Sequence, residues 1–204
     1  MAVGREPRAR VDPSKDPQAA RIIAAARRLI AEGRAGFTTL ELLAEAGVAT
    51  NTFYRRFSGI DELLLAVVTE IIADNCRRFA ADHADHDPVE RLGIYIRGAV
   101  TGVARRADAV PEFVALELGR LDQAFPDGVE AAQQPVVDLL RESIIEAQQS
   151  GAMSSADPDR DAWFIMRLIS STYHHYAFRK GDPNLAEVGE SLWRFCQRAL
   201  GVDL

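Results

Sequence analysis

The sequence is poor in cysteine and has no paired cysteine motif. Cys76 and Cys196 are the two cysteines among 204 residues, and they lie 120 positions apart. This spacing excludes the CxxC pairs of zinc and redox motifs, and two isolated thiols give no disulfide framework of the kind found in small secreted domains. The cysteine content therefore favours a reducing compartment.

Long apolar runs and catalytic signatures are absent as well. No segment reaches the roughly 18–20 apolar residues of a membrane span, and the N-terminal MAVGREPRARVDPSKDP lacks the apolar stretch of a signal peptide. We therefore expect a cytoplasmic protein with no membrane partner. Because HExxH, ExxH, P-loop and GxSxG motifs are also missing, we expect no metal, no cofactor and no enzymatic activity.

Positive charge is scarce in the chain as a whole but concentrated near its start. The net charge is −6, whereas residues 1–60 alone carry ten Lys and Arg against six Asp and Glu. The remaining residues therefore hold a balance of −10. This asymmetry excludes a globally basic nucleic-acid binder and indicates that the first sixty residues are the part that faces an anion.

Helical periodicity runs through nearly the whole chain, and strand-like alternation is absent. Turn signals divide the pattern into about nine helices, so we predict an all-α fold. The predicted domains are a flexible basic arm over 1–16, a three-helix DNA-binding bundle over 17–60 and a larger helical body over 61–204. The predicted helices cover about 17–33, 40–46, 49–56, a segment starting near 61, 88–106, 109–125, 131–149, 157–179 and 184–200.

The segment TTLELLAEAGVATNTFYRRF, residues 38–57, carries the most specific pattern. Thr38 and Glu41 form a predicted capping box, Leu40, Leu43 and Ala44 are expected to face inward, and Gly47 ends the helix. A short second helix follows, so the segment predicts a helix-turn-helix. Its outer face is expected to hold the polar side chains of Thr50, Asn51, Thr52, Tyr54, Arg55 and Arg56.

Those side chains suit a DNA duplex. Arginine and hydroxyl groups bind phosphates, an asparagine amide matches adenine N6 and N7, and a threonine methyl can pack on the thymine methyl. We therefore expect Asn51 and Thr52 at base edges, with Arg55 on guanine or phosphate. The arginines of the arm, Arg5, Arg8 and Arg10, are either disordered or minor-groove contacts.

The same segment resembles the N-terminal domain of TetR-type transcriptional regulators. The resemblance covers about residues 21–68 and rests on Thr38, Leu42, Leu43, Ala44, Ala46, Gly47, Val48, Thr52, Phe53, Tyr54, Phe57, Leu63 and Leu64. It implies a homodimer that binds a palindromic double-stranded DNA operator and usually represses. It also implies that Thr38 or Thr39 contacts phosphate, that Thr50, Asn51 and Thr52 approach bases, and that Tyr54 and Arg55 hold the backbone.

Three positions depart from the family pattern. Ala49 stands where a capping serine is common, which removes a hydrogen-bond partner of about 1 kcal/mol. Asn51 occupies a position often filled by glycine, so base recognition there is expected to be individual. Ile60 stands where lysine is frequent, which puts a phosphate contact at the start of the fourth helix in doubt.

The last two predicted helices are apolar on two sides, as helices covered by a partner subunit are. In the TetR family such a pair forms a four-helix bundle between subunits; the alternative is burial within a monomer. The predicted dimer interface comprises Phe164, Leu168, Ser171, His175, Phe178, Leu185, Val188, Leu192 and Phe195.

The inner faces of the middle helices are expected to enclose a pocket for an unidentified, mainly hydrophobic small molecule, since ligand sites are mostly apolar with a few placed polar groups. The predicted lining is Tyr95, Val103, Phe113, Glu117, Arg120, Leu140, Trp163, Met166, Arg167, Ser170, Tyr173 and His174. The sequence thus predicts a ligand-responsive repressor. The alternatives are a TetR-fold protein that organises the chromosome, or an all-helical small-molecule-binding protein or enzyme.

Overall fold

The computed structural model describes residues 16–102, 109–177 and 184–202. Within these ranges the chain forms nine α-helices and no strand, which confirms the predicted all-α class. The helices are α1 (Pro17–Ala31), α2 (Thr39–Ala46), α3 (Thr50–Tyr54), α4 (Ile60–Asp82), α5 (Pro88–Thr101), α6 (Ala109–Asp122), α7 (Pro126–Gln149), α8 (Pro158–Ala177) and α9 (Leu185–Ala199). Arg5, Arg8 and Arg10 of the predicted arm lie outside the described residues, as do Val103 and Phe178.

Several helices begin where the sequence supplies a capping side chain. The carboxylate of Asp16 accepts hydrogen bonds from the backbone N–H groups of Gln18 and Ala19, and Pro17 follows at the first helical position of α1. Asp87 and Pro88 repeat this arrangement at the start of α5. A capping oxygen satisfies an N–H group that has no partner within the helix, and proline at the first position has no N–H to satisfy.

Helices α2 and α3 pack against α1. Seven residues of α1 are buried, and they face Leu42, Leu43 and Ala46 of α2 together with Phe53 and Phe57 at α3. The same apolar cluster continues through α4 into α6 and α7. The small N-terminal bundle therefore shares one continuous core with the helices that follow it.

A second apolar cluster holds the rest of the body together. It joins α5, α7, α8 and α9 through buried side chains that include Leu92, Ile96, Leu140, Ile144 and Trp193. Helices α5 and α9 approach each other closely. A Cβ atom on Gly93 would lie 2.8 Å from the Trp193 ring, and one on Gly189 would lie 3.3 Å from the backbone of Arg97.

Two local predictions were wrong. Leu40 is 77% exposed and Ala44 is also exposed, because α2 begins at Thr39 and turns Leu42, Leu43 and Ala46 towards α1. Helix α7 begins at Pro126 rather than near 131, so the Asp127-Gly128 pair lies in its first turn. A Cβ atom on Gly128 would meet the Leu65 side chain at 2.6 Å, which shows that this glycine allows close packing against α4.

Candidate functional site

The helix-turn-helix is built from local contacts that the sequence predicted. The Thr38 hydroxyl accepts from the Glu41 N–H, while the Glu41 carboxylate accepts from the Thr38 N–H at 2.8 Å, so the capping box is confirmed. That backbone N–H, with the Thr38 hydroxyl next, lowers the pKa of Glu41. Gly47 ends α2 in the left-handed region at φ 61°, a conformation that costs glycine little.

Helix α3 exposes polar side chains on one side, and aromatic side chains on its other side are buried. Phe53 and Phe57 are buried, whereas Thr50, Asn51, Tyr54 and Arg55 are exposed and Thr52 is half-buried. The N-cap residue, Ala49, makes no side-chain hydrogen bond, because its methyl group has no donor or acceptor. The structure therefore brings five of the predicted DNA-contacting side chains onto or beside one exposed surface.

The remaining predicted contacts at this end of the molecule are engaged within the protein or only partly exposed. Arg56 turns inward: its Nε lies 2.8 Å from the Asp16 carboxylate, its Nη1 donates to the Thr52 carbonyl, and the side chain is 17% exposed. The prediction that Arg56 lies on the outer face was therefore wrong. The hydroxyl of Thr38 is exposed but bound in the capping box, and Thr39 is half-buried.

Two arginines tie α3 and the end of α2 to the N-terminal segment. Arg56 ties the C-terminal end of α3 to Asp16, which also caps α1. Arg21 on α1 donates to the carbonyl of Ala46, the last residue of α2, at 3.0 Å, next to the turn that leads to α3. Fixed side chains and a fixed turn give α3 a defined orientation, which a helix of five residues cannot obtain from its own hydrogen bonds.

A partly open cavity of about 1000 Å³ lies in the body and is lined by residues of α1 and of α4 to α8. Six of the predicted ligand contacts line it, and Arg27 and Ala31 at the end of α1 belong to its wall. The six predicted residues on the wall are Tyr95, Met166, Arg167, Ser170, Tyr173 and His174.

Five other predicted ligand contacts do not line this cavity. Phe113 and Leu140 are buried in the two apolar clusters. Glu117 forms an ion pair with Arg120 at 2.7 Å, and Arg120 also reaches Asp61 at the start of α4. Trp163 lies on the surface with the Arg167 guanidinium 5.2 Å from its ring centroid. Helical spacing placed these residues on plausible faces, but which faces meet the cavity depends on how six helices are oriented.

The prediction missed several wall residues on α4 and α7, among them Phe79, His83 and Gln133. Gln133 lies within the stretch whose start was misplaced, between Val129 and Val136, which also line the cavity. A recognisable signal was available: a glutamine at the position of an apolar stripe, four residues after Val129 and three before Val136.

Most polar side chains of the wall have partners inside the protein. The Tyr173 hydroxyl donates to the Pro111 carbonyl at 2.7 Å, and Arg27 binds the Asp74 carboxylate at 2.5 Å. The Tyr95 hydroxyl is hydrogen-bonded to the thiol of Cys76, and burial raises the pKa of that thiol to about 11. Cys76 is therefore a neutral structural thiol at physiological pH rather than a reactive one.

The outer faces of α8 and α9 together form an exposed apolar surface. Phe164 and Phe195 are each 51% exposed, and Leu168 is exposed beside them. Ser171 and His175 are exposed on the same predicted stripe of α8, while Val188 and Leu192 are half-buried on α9. Leu185 differs from the prediction, because it is buried within the subunit.

Residues 16–102, 109–177 and 184–202 contain no group of three His, Cys, Asp or Glu side chains that could hold a metal ion. Within these same ranges no helix is long and apolar enough to cross a membrane.

The comparisons with known proteins agree with this architecture. The sequence profile described as "Bacterial regulatory proteins, tetR family" matches residues 22–67. A protein of Mycobacterium tuberculosis (strain ATCC 25618 / H37Rv), named as an uncharacterized HTH-type transcriptional regulator, is 27% identical over 149 residues, which cover 73% of this chain and 76% of that protein.

Two solved structures share the fold over most of their length. RolR in complex with resorcinol has a TM-score of 0.73 and 17% identity, covering 92% of this chain and 89% of that one. FadR from Bacillus subtilis in complex with stearoyl-CoA has a TM-score of 0.68 and 20% identity, covering 87% of this chain and 96% of that one. At these identities the similarity establishes the fold of this chain but not the identity of its ligand.

Proposed function

Since the chain belongs to the TetR family of bacterial transcriptional regulators, we propose that it is a homodimeric repressor that leaves its operator when a small molecule binds. The observation that carries the proposal is the exposed polar surface of α3, held on buried Phe53 and Phe57 and oriented by Arg21 and Arg56. A regulator of this kind acts by binding, and no chemical step is assigned to it.

DNA recognition is assigned to α3, lying in the major groove. Asn51 is exposed and offers an amide that can pair with adenine, while Thr50 and Thr52 approach neighbouring bases. Tyr54 and Arg55 contact the sugar-phosphate backbone, which positions the helix without reading sequence. Because these contacts neutralise phosphates and release counterions, operator affinity is expected to fall steeply with salt.

Dimerisation is assigned to the exposed apolar surface of α8 and α9. Phe164, Leu168 and Phe195 are large apolar side chains that water covers in a single subunit. Burial against a second copy would remove that surface from water at about 25 cal/mol per Å². A symmetric dimer places two α3 helices on one face of a duplex, with half-sites roughly 34–36 Å apart or at a related spacing.

Ligand response is assigned to the cavity of the body. The cavity is large enough for a drug-sized or lipid-like molecule, and two solved structures with this fold are complexes with resorcinol and with stearoyl-CoA. Its wall includes Arg27 of α1, which is paired with Asp74 and Glu70 of α4. A ligand that favours one arrangement of α4 therefore biases the orientation of the DNA-binding bundle by shifting populations.

The experiment that tests the DNA-binding assignment is selection of preferred duplexes from a random library, followed by anisotropy titrations of variants. We expect Tyr54→Ala to weaken binding to all selected duplexes by about 5- to 150-fold, and Asn51→Ala also to relax the preference at one base position. Arg55→Ala is compared with Arg160→Ala, which removes the same charge from an exposed position on α8.

The comparison separates a local contact from a change in net charge. Arg55→Ala is expected to weaken binding and to lower the salt dependence by about one counterion, whereas Arg160→Ala leaves both unchanged. Unaltered affinity in the variants at Asn51, Tyr54 and Arg55 would show that α3 is not the recognition helix.

A further inference from the structure

Two buried polar atoms in the described residues have no hydrogen-bond partner, and both belong to the wall of the cavity. They are Oε1 of Gln133 on α7 and Nδ1 of His83 at the end of α4. Native proteins pair nearly all of their buried polar atoms, because an unpaired one loses its hydration without compensation. Both residues therefore belong to the wall that a molecule in the cavity would contact.

Gln133 is the more deeply buried of the two residues. Its side chain is 6% exposed and lies on the apolar face of α7 between Val129 and Val136, which also line the cavity. The next residue, Gln134, is exposed and donates to the Asp138 carboxylate at 3.0 Å. The Oε1 atom at position 133 gains no hydrogen bond from the described residues, whereas a leucine would fill a similar volume without desolvating a polar group.

Other polar groups of the wall are engaged with protein atoms. The hydroxyl of Tyr173 donates to a backbone carbonyl, that of Tyr95 is bonded to a buried thiol, and that of Ser170 lies 3.4 Å from the Met166 sulfur. The positive charge of Arg27 is balanced by the two carboxylates of α4. Of the two unpaired groups of the wall, the Gln133 amide belongs to the more deeply buried residue, so it is the group that we assign to a ligand.

Building on the ligand-responsive function proposed above, we propose that Gln133 anchors an uncharged effector that has an apolar body and a hydroxyl group. A hydroxyl both donates and accepts, so it matches the amide through the unpaired Oε1 and through the NH2 group. A carboxylate only accepts and would leave Oε1 unsatisfied. An ammonium group would lose its hydration in a wall made mostly of apolar side chains.

The test uses matched pairs of compounds and the full-length protein. Para-butylphenol and n-octanol carry the hydroxyl on a ring and on a chain, and their methyl ethers, para-butylanisole and methyl octyl ether, keep the body but cannot donate. We expect calorimetric titration to show about tenfold tighter binding of at least one hydroxyl compound than of its ether, the usual effect of one hydrogen bond. The two bodies distinguish a phenolic from an alkanol effector.

Variants assign the preference to one side chain. Gln133→Leu, and Gln133→Met as an unbranched replacement, are each expected to bind a hydroxyl compound and its ether equally. Gln134→Leu is the matched control on the neighbouring exposed position, and it keeps the tenfold preference. Because the ether is bulkier by a methyl group, a purely steric preference would survive in Gln133→Leu.

Three results overturn the assignment: no binding of either hydroxyl compound, equal binding of alcohol and ether by the wild-type protein, or a preference that persists in both Gln133 variants. Thermal unfolding provides a further check, since removal of an unpaired amide should not lower the melting temperature. DNA binding without any hydroxyl preference would refute this inference alone. A hydroxyl preference in a protein that binds no duplex would refute the proposed function alone.

Discussion

The same substitution at two glycines of α5 tests how closely this helix packs against α9. Gly93 lies against α9, where a Cβ atom would be 2.8 Å from Cε2 of Trp193 and 3.1 Å from two further ring atoms. Gly98, five residues later on the same helix, has nothing within 4 Å of that position and lines the cavity. The same change, glycine to alanine, therefore meets a rigid indole at one site and open space at the other.

The magnitudes follow from helix propensity and overpacking. Alanine is favoured over glycine in a helix by about 1 kcal/mol, so Gly98→Ala should raise the free energy of unfolding by that amount. For a chain of this size the melting temperature should then rise by about 2–4 °C. At Gly93 the same gain is opposed by an overpacking cost of about 1–3 kcal/mol, because the Trp193 ring must move. Gly93→Ala should therefore be neutral to destabilising.

The assay is thermal and urea unfolding of both variants, with circular dichroism as the signal that monitors unfolding. We expect Gly98→Ala to be the more stable variant by about 1–3 kcal/mol, the overpacking cost itself, since the propensity gain cancels in the comparison. Equal stabilisation by both substitutions would refute the close approach of α5 and α9. Equal destabilisation would refute the open space beside Gly98, and with it the cavity.

Three further predictions concern the subunit contact, a helix cap and an ion pair. Phe164→Glu should produce monomers in light-scattering measurements, whereas Leu116→Glu, at an equally exposed site on α6, should not; a dimer that survives Phe164→Glu would place the interface elsewhere. Ala49→Ser should add the missing cap of α3 and raise the free energy of unfolding by about 0.5–1 kcal/mol in urea titrations, and an unchanged or lower value would contradict a free N-cap. Burial raises the pKa of Asp74, but the hydrogen bond and the charge of Arg27 outweigh burial and hold that pKa below 3.8. The pairing of Asp74 with Arg27 therefore stabilises the fold above pH 3.8, and this stabilisation is lost as the pH falls through the lowered pKa. Urea titrations at descending pH should show a smaller acid loss in Asp74→Asn, and identical pH dependence would contradict the pairing.

The helix-turn-helix was predictable because its signals are short in range. The capping box joins Thr38 to Glu41, Gly47 ends α2 through its own backbone conformation, and Phe53 and Phe57 face inward because they are four residues apart on α3 and its C-terminal end. Each of these features depends on residues that lie within a few positions of one another. They can therefore be predicted without knowing how distant helices pack.

The cavity was only partly predictable because its wall combines one face from each of six helices. Tyr95 and Met166 were found by their apolar spacing, but Trp163, three residues before Met166 on the same predicted stripe of α8, is on the surface. A rotation of a helix by one residue moves a side chain by 100°, and no periodicity specifies which of two apolar faces meets the ligand. Gln133 was missed for a different reason, because its place on the apolar stripe of Val129 and Val136 was not recognised.

The sequence by itself determined the helical class, the caps of α1, α2 and α5, and the composition of the surface of α3, because these depend on residues that are neighbours along the chain. Only the tertiary structure decided that Arg56 binds Asp16 across forty positions, that Leu40 is exposed, and that an unpaired amide lies in the wall of a cavity. Those contacts arise where distant helices meet, and their geometry is set by packing the whole core at once.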